Sequence, residues 1–311
     1  MIRSHGAPTL TDPKMKLVSV VIPTFNRSAF IDRAIDSVLG QTYSNIEVIV
    51  VDDASSDNTV ARVRARSKSD PRVRLIIQGQ QAGAQAARNA GIRAANGAWV
   101  AFLDSDDEFL PESVELRVDA LNQSGYKVVH SECYWLKPDE AERRLFHVSP
   151  LTGWIYRTLL QTPGPMFPGI IVSKVALERI AYLDESILSW QEWDTAIRLA
   201  QHYAFAFVSQ PTFVYDCRHE GTISKNLLRT ARGYEQVVVK HRRHMLKHLG
   251  AAGLSRHYQL AASFYRQGSS PWNAWRCSIV AGIWRTCGVK GLVSSYGSRV
   301  RSKLRRWGYL R

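Results

Sequence analysis

Three carboxylates lie within four positions at the end of an apolar run. The run "VAFL", residues 100–103, is followed by Asp104, Asp106 and Asp107. Carboxylates this close raise each other's pKa and cost free energy unless a positive group lies between them. A divalent cation is the commonest such group, and Mg²⁺ takes oxygen ligands. The pattern therefore predicts a metal site whose cation stabilises the charge on a leaving group, with a solvated acidic turn before Pro111 as the alternative.

Two further polar clusters follow apolar runs nearer the start of the chain. "PTFNR" (23–27) follows "LVSVVI" (17–22), and "DDASSDN" (52–58) follows "IEVIVV" (46–51). Unbroken β-branched runs of this kind are typical of strands that are covered on both faces. In parallel sheets, ligands gather outside the carboxyl ends of the strands. We therefore expect the three clusters to meet at one edge of a sheet.

Helices must connect these strands. "SAFIDRAIDSVLGQ" (28–41) places its apolar side chains on one helical face, a second helix is expected near residues 60–67, and "AGAQAARNAGIRAANG" (82–97) is an Ala-rich third. "RVRLII" (72–77) and "AWVAFL" (98–103) are the third and fourth strands. Strand and helix alternate four times, which predicts a parallel sheet covered by helices.

The second half of the chain is less regular, and after about residue 226 its pattern is helical and basic. Two segments favour helices, "LTGWIYRTLLQ" (151–161) and "QEWDTAIRLAQ" (191–201). Three favour strands: "PGIIVS" (168–173), "AFAFVS" (204–209) and "TFVYDCR" (212–218).

Composition excludes several classes of protein. The 311 residues are 45% hydrophobic, so the chain can bury a full core and is not globally disordered. Its four cysteines form no Cys-x-x-Cys pair, which favours ordinary thiols in a reducing compartment over a disulfide framework or zinc site. The first 16 residues lack the apolar segment of a secretory signal, and no run approaches the ~20 apolar residues of a spanning helix. We expect a cytoplasmic protein.

The net charge of +14 is unevenly placed. Residues 236–311 hold 15 Lys and Arg and no Asp or Glu, so the preceding residues hold 26 basic side chains and all 27 acidic ones. The entire positive excess therefore lies in the C-terminal region, where a negatively charged partner is expected.

That region also carries aromatic side chains near helical spacing: Trp272, Trp275, Ile279 and Ile283, followed by Trp284 and Trp307. Basic amphipathic segments with Trp are typical of helices that lie on an anionic membrane surface. Nucleic acid is less favoured because no nucleic-acid-binding module accompanies the charge. A merely solvated helical face is the alternative.

The segments "VSVVIPTFNRSAFIDRAIDSVLGQTYSNIEVIVVDDASSDNT" and "GAQAARNAGIRAANGAWVAFLDSDDEFLP" together resemble the family 2 glycosyltransferases, which are inverting nucleotide-sugar enzymes. The resemblance covers residues 16–226. It implies a GT-A type α/β fold, with a Rossmann-like mixed, mainly parallel sheet covered by helices and a C-terminal helical extension. The implied organisation is a loose lead-in (1–15), a GT-A domain (16–226) with nucleotide-sugar and acceptor halves divided at residue 110, and a basic helical region (227–311).

The same resemblance implies a donor site. Asp53 would accept a hydrogen bond from the nucleotide base, with Asp52 supporting the turn, and Arg88 would lie near the base and phosphates. Asp104 and Asp106 would form an Asp-x-Asp pair, one contacting ribose or sugar hydroxyls and one holding Mg²⁺ or Mn²⁺ against the diphosphate, with Asp107 a weaker candidate. The residues lining the nucleoside pocket would be Pro23, Thr24 and Phe25.

A catalytic base is expected from the second half. The family usually has an acidic pair opening a helix, and here Gln191 and Glu192 occupy that pair, with Asp194 following. This departure makes Glu192 the first candidate and Asp194 the second, with helix capping as the alternative role for either. "CRHEGTISKN" resembles the family's late loop, in which Arg218 would neutralise phosphate and His219 would bind metal or phosphate.

Trp154, Trp190 and Trp193 lie in the acceptor half. Flat aromatic faces stack on sugars, although core packing is the more common role of a single tryptophan.

These features predict a metal-dependent, inverting glycosyltransferase that transfers a single sugar to a hydroxyl on a glycan or polyprenyl-linked acceptor at the inner membrane surface. The donor is expected to be a UDP- or dTDP-sugar. The Gln-x-x-Arg-Trp motif and spanning helices of the family's processive synthases are missing from the sequence. A non-catalytic nucleotide-sugar- or membrane-binding protein of the same fold is the main alternative. A nucleotidyltransferase or dehydrogenase is disfavoured because no Gly-rich loop follows the first strand.

Overall fold

A computed structural model describes residues 16–138, 142–218 and 226–294, with side chains up to residue 285. His219, Trp307 and the last 17 residues of the basic region lie outside this range. The described residues divide into two compact units, one of residues 16–155, 165–185 and 198–218, the other of residues 156–164, 186–197 and 226–294. The second unit thus contains residues 156–164 and 186–197 in addition to the predicted helical extension. The predicted domain boundary at residue 226 remains a prediction.

The described residues form nine strands, nine helices and one 3-10 turn. The first seven elements are β1 (Val18–Thr24), α1 (Ile31–Leu39), β2 (Ile46–Asp52), α2 (Thr59–Ser69), β3 (Val73–Ile77), α3 (Ala84–Ala94) and β4 (Trp99–Phe102). Then come β5 (Glu108–Phe109), α4 (Ser113–Ser124), β6 (Val128–Leu136), β7 (Arg144–Phe146), α5 (Tyr156–Gln161), the 3-10 turn Phe167–Gly169, β8 (Ile171–Ser173) and α6 (Lys174–Arg179). The last are α7 (Gln191–Ala200), β9 (Phe205–Asp216), α8 (Leu227–Gln267) and α9 (Pro271–Ser294).

All the strands belong to one mixed sheet in the first unit. Its order is β3-β2-β1-β4-β8-β6-β9-β5, with β7 paired to β6. The four strands of the predicted alternation pair in parallel, whereas β8 runs antiparallel to β4 and to β6. The carboxyl ends of β1, β2 and β4 therefore share one edge, and the predicted fold class is confirmed.

The burial of β1 and β2 agrees with the strands that their apolar sequences predict. Every residue of β1 and β2 is buried, as expected for apolar runs covered on both faces. Helix α3 packs closely on β1 at Gly91, where an added Cβ would lie 2.4 Å from Val21 Cγ1. Glycine is therefore needed at this contact.

Strand β9 differs from the expectation of two strands, because "AFAFVS" and "TFVYDCR" form one strand of 12 residues across Pro211. Its pairing with β6 shifts register between Ser131 and Glu132, so that Val208 lies opposite Ser131 and Pro211 opposite Glu132. A bulge tolerates proline because it removes the need for one ladder hydrogen bond.

The second unit is helical in its described residues. Helix α8 contains a break at Gly250, whose φ of 69° lies in the left-handed region that glycine adopts without strain. The predicted helical character after residue 226 is confirmed. Across the described residues, no helix combines the length and apolar character needed to cross a membrane.

Candidate active site

The loops after β1 and β2 are joined by their own polar groups. Asn26 has a φ of 51°, a conformation that asparagine tolerates better than most residues. Its N–H donates to Ser55 Oγ at 2.8 Å, and its Oδ1 accepts from the N–H of Ser56 at 2.8 Å. The N–H of Ser28 donates to Asp57 Oδ2 at 3.1 Å. Two of the three predicted clusters therefore form one continuous surface.

Thr24 and Asp52 are register partners at the carboxyl ends of β1 and β2. Asp52 Oδ2 accepts from the N–H of Ser55 at 2.9 Å, so this carboxylate supports the turn as expected. Thr24 Oγ1 and Asp52 Oδ1 are buried without a hydrogen-bond partner among the described residues. Buried polar atoms of this kind are uncommon and often mark functional sites or ordered water.

Asp53 connects β2 to the start of α3. Its Oδ1 accepts from the N–H of Ala82 at 2.7 Å and its Oδ2 from the N–H of Gly83 at 2.8 Å, while its own N–H donates to Thr24 O. A carboxylate has about four lone-pair sites, so these bonds leave acceptor capacity for a base. The base-binding role remains a prediction.

The three residues predicted for the nucleoside pocket differ in exposure. Pro23 and Thr24 are buried, whereas Phe25 is 37% exposed. Of these three, Phe25 therefore has the side chain best placed to contact a nucleoside.

Arg88 holds Asp104. Its guanidinium is buried, donates to Gln85 Oε1 at 2.7 Å and to Asp104 Oδ1 at 2.5 Å, and lies 4.6 Å from the centre of the Phe167 ring. These contacts fix the guanidinium and so orient one carboxylate of the predicted Asp-x-Asp pair. Direct contact of Arg88 with a nucleotide remains a prediction.

Asp106 and Asp107 complete the acidic turn after β4. Asp106 Oδ2 lies 3.8 Å from Arg27 Nε, and Asp107 Oδ1 accepts from the N–H of Asp216 at 3.0 Å. Burial, followed by the charges of Asp104 and Asp106, raises the pKa of Asp107 well above its ordinary value. A cation at this turn would relieve that repulsion.

The acidic turn fits a divalent metal that takes some of its ligands from the protein and the others from a bound nucleotide. Among the described residues, no group of three His, Cys, Asp or Glu could hold a metal on its own. Mg²⁺, however, is commonly bound by one or two carboxylates together with substrate phosphates and water. Asp104 and Asp106 supply oxygen ligands of that kind, and the diphosphate would supply others.

Arg218, at the end of β9, binds a neighbouring carboxylate. Its Nε donates to Asp216 Oδ1 at 2.9 Å and its second guanidinium nitrogen to Oδ2 at 2.7 Å, a two-bond pairing. The contact of Arg218 with phosphate remains a prediction. His219 lies outside the described residues.

In the second unit, Glu192 is the second residue of α7 and is half-buried. The preceding Gln191 is buried and donates its amide to the carbonyls of Ile187, at 3.0 Å, and Leu188, at 3.3 Å. A carboxylate could not donate these bonds, which explains the departure from the expected acidic pair.

Asp194 has a different environment. It is buried, and its carboxylate accepts from Lys240 Nζ at 2.9 Å and lies 2.7 Å from His241 Nε2. These contacts join α7 to α8. A carboxylate already bound to a cation is a weaker base, so these contacts give Asp194 a structural role.

Trp154, Trp190 and Trp193, the tryptophans considered for sugar binding, have different environments. Trp193 is fully buried, stacks on Tyr234 at 5.1 Å between ring centres, and donates to Leu159 O at 2.6 Å, so it is a core residue. Trp190 is partly buried and donates to Thr230 O at 3.1 Å. Trp154 is 73% exposed and remains the candidate for stacking on a sugar.

Several residues of this site were not predicted from the sequence. Asn26, Ser55 and Asp57 belong to a loop composition typical of side chains that bond backbone groups, which was a usable signal. Arg27, near Asp106, had no such signal, because its partner lies 79 positions away along the chain.

Comparison with known proteins decides the family. The model of glycosyl transferase family 2 matches residues 19–175, just over half of the chain. The chain belongs to this family. The matched residues include β1 to β4 and the acidic turn, so the predicted resemblance is confirmed.

Two named relatives of this family 2 chain are similar to it over different lengths. A succinoglycan biosynthesis protein, ExoO of Rhizobium meliloti, is 31% identical over 69% of this chain and 64% of its own length. The Escherichia coli protein WfgD, named as a UDP-Glc:α-D-GlcNAc-diphosphoundecaprenol β-1,3-glucosyltransferase, is 41% identical over 34% of this chain and 41% of its own length. The chain spans between 25% and 66% of the length of eight curated relatives that it matches.

Two solved structures share the fold of this family 2 chain. Residues 1–349 of S. aureus TarS, in complex with UDP-GlcNAc, superimpose with a TM-score of 0.68 at 18% identity, covering 94% of this chain and 88% of TarS. A mannosyltransferase from Pyrobaculum calidifontis, in complex with GDP-Man and Mn²⁺, gives a TM-score of 0.55 at 18% identity, covering 94% and 79%. At these identities the likeness establishes the fold alone.

Proposed function

We propose that this chain is a metal-dependent, inverting glycosyltransferase that moves one sugar from a nucleoside diphosphate to a hydroxyl of a glycan or lipid-linked acceptor. The observation that carries the proposal is the shared sheet edge, where the joined loops after β1 and β2 lie beside the Asp104–Asp106 turn on a family 2 fold.

The loops and the acidic turn of the first unit have different roles in that reaction. The loops bind the nucleoside, with Asp53 accepting from the base and Phe25 contacting it. Asp104 and Asp106 would hold Mg²⁺ or Mn²⁺, and the cation would stabilise the negative charge on the departing nucleoside diphosphate. Arg88 keeps Asp104 in place, and Arg218 adds positive charge for the phosphates.

The acceptor hydroxyl needs a base, and Glu192 serves as that base. It takes the hydroxyl proton while the oxygen attacks the sugar carbon and the C1–O bond to the diphosphate breaks. Attack from the face opposite the leaving group inverts the anomeric centre. Asp194 holds α7 against α8.

A panel of nucleotide sugars tests both the activity and the choice of donor. We expect hydrolysis that requires Mg²⁺ or Mn²⁺, faster with UDP- or dTDP-sugars than with GDP-sugars, because uracil and thymine present an imide N–H to Asp53. The UDP-GlcNAc bound to TarS supports this preference, whereas the GDP-Man of the other structure does not. Product release is measured with each metal and with chelator.

Two outcomes would contradict these expectations. Calorimetric binding of GDP without binding of UDP or dTDP would overturn the base preference but not the activity. Binding of a nucleotide sugar with no hydrolysis or transfer under any metal condition would favour a non-catalytic member of the family.

A lipid-linked acceptor is favoured by the name of WfgD, which specifies a diphosphoundecaprenol acceptor, and by the basic second unit. Such an acceptor lies in a membrane, so we propose a peripheral association of this protein with the inner membrane surface.

The exposed side chains of α9 refine that proposal. Trp272 and Trp275 stack at 5.0 Å between ring centres and are 62% and 51% exposed. Ile283 and Trp284 are buried, so the expected row of membrane-facing residues is wrong at these two positions. The proposed membrane contact is therefore the Trp272–Trp275 pair, with cationic side chains such as the exposed Arg285 binding anionic lipid.

Replacing both Trp272 and Trp275 by alanine is expected to weaken binding to anionic liposomes by about tenfold or more, because two partly exposed indoles lose their burial in the interface. Higher salt should weaken the binding of the unmodified chain. Cosedimentation measures both effects, and Trp154→Ala, which removes another exposed tryptophan, is the control. Unchanged binding in the double variant would contradict the role of the pair. Deleting α9 is a poorer test because it would remove the buried side chains of Cys277 and Val280 and uncover the surface of α8 on which α9 packs.

A further inference from the structure

Arg33, on α1, is a cation that joins the acidic turn to the end of β9. One guanidinium nitrogen donates to Asp106 O at 2.6 Å and to Asp216 Oδ2 at 3.2 Å. Its Nε lies 3.1 Å from Glu108 Oε1. The side chain is about one-third exposed, so its position is set by these contacts rather than by deep burial.

Asp216 is the second half of this connection. Its carboxylate is buried and receives both Arg33 and Arg218. Its N–H donates to Asp107 Oδ1 at 3.0 Å. Asp216 therefore contacts the acidic turn twice, through its backbone at Asp107 and through Arg33 at Asp106.

The acidic turn between β4 and β5 also contacts Arg88 at Asp104 and Arg27 at Asp106 and has a backbone bond of its own. The N–H of Asp107 donates to Asp104 O at 3.0 Å, which closes the turn locally. Residues 104–107 belong to no strand or helix. The contacts of Arg33 and Asp216 thus hold the carbonyl of Asp106 and the side chain of the next residue, Asp107.

We propose that Arg33 and Asp216 form a clamp that sets the Asp106 carboxylate in position to bind a nucleotide-bound divalent cation. This inference rests on the proposed function. Neither residue is a catalytic residue; both are positioning residues that act through Asp106.

The physical reason is the strict geometry of small divalent cations. Mg²⁺ requires nearly octahedral ligands, and a turn free to move would lose conformational entropy on binding the metal. A clamp formed before binding removes that loss. Arginine suits the task because its rigid, planar guanidinium binds Asp106 O and Asp216 through one nitrogen while Nε lies beside Glu108, and the single ammonium of lysine cannot reproduce that fixed spacing.

The test compares three variants with the unmodified chain. Arg33→Met removes the clamp, and Arg33→Lys keeps the charge without the two-acceptor geometry. Arg74→Met is the matched control, because Arg74 also bridges a carboxylate and a carbonyl, Glu47 Oε2 at 2.9 Å and Ala94 O at 3.0 Å, within the same unit.

Two readouts do not depend on turnover. We expect Mn²⁺ affinity in the presence of UDP, followed by the electron paramagnetic resonance of free Mn²⁺, to fall roughly 10- to 100-fold in Arg33→Met, as is typical when a group that orients a metal ligand is lost. The Mn²⁺ affinity of Arg33→Lys should fall nearly as far. Hydrogen exchange of residues 104–109 should become faster in both. Arg74→Met should leave both readouts unchanged, whatever its effect on thermal unfolding.

The outcomes separate this inference from the proposed function. If the unmodified chain binds Mn²⁺ with UDP and Arg33→Met binds it equally well, the clamp is wrong and the proposed function stands. Full recovery by Arg33→Lys would also overturn the clamp, since charge alone would then suffice. If the unmodified chain binds no Mn²⁺ with UDP, dTDP or GDP, the proposed metal-dependent function fails, and exchange decides the clamp: faster exchange of residues 104–109 in Arg33→Met supports it, and unchanged exchange overturns it.

Discussion

The Asp106→Ala variant is expected to lose Mn²⁺-dependent turnover by roughly 10³-fold or more, because the cation that stabilises the leaving diphosphate loses a ligand. The fold should be unchanged, since Asp106 lies in a turn outside the strands and its side chain is only partly buried. Donor hydrolysis measured across a Mn²⁺ titration is the assay. Raising the metal concentration should recover part of the activity if affinity alone has fallen.

A second aspartate provides the control for that variant. Asp70 ends α2 and its carboxylate pairs with Arg72 at 2.8 Å, so Asp70→Ala removes a charge of the same type away from the acidic turn. It should keep normal turnover. Full activity of Asp106→Ala, or of the unmodified chain in excess chelator, would show that the metal assignment is wrong.

The parts of this molecule that sequence predicted well depend on local patterns. The runs of β1 and β2 are buried at every position, so their composition alone indicated strands covered on both faces. Parallel order then brought Thr24 beside Asp52, because consecutive strand–helix units place carboxyl ends at one edge. The acidic turn could be predicted as a metal site because three carboxylates within four positions repel one another unless a cation lies between them.

The parts that sequence missed depend on partners far along the chain. Arg33 meets Asp216 across 183 positions, and Asp194 meets His241 across 47. Charge pairing of this kind leaves no periodicity, since either residue alone resembles an ordinary surface charge. Trp284 was misassigned for a related reason: helical spacing places it on α9, but only packing against other residues decides whether that side of the helix is buried.

Glu192→Gln is expected to lower turnover by about 10²-fold or more while leaving donor affinity little changed. Glutamine keeps the shape of the side chain but cannot take a proton from the acceptor hydroxyl. The comparison variant is Asp194→Asn, in a carboxylate that is buried between Lys240 and His241. Breaking a buried ion pair by neutralising one member costs about 3 to 5 kcal/mol, so this variant should be destabilised.

The two carboxylates can therefore be separated by measuring activity and thermal unfolding together. The expected pattern is a slow but normally stable Glu192→Gln and an Asp194→Asn whose unfolding temperature falls, with near-normal turnover in the fraction that remains folded. A base acts only on the chemical step, whereas a residue that holds α7 acts on the whole unit through its packing. If Asp194→Asn instead unfolds normally and loses turnover at constant donor affinity, Asp194 is the base and Glu192 serves the start of the helix.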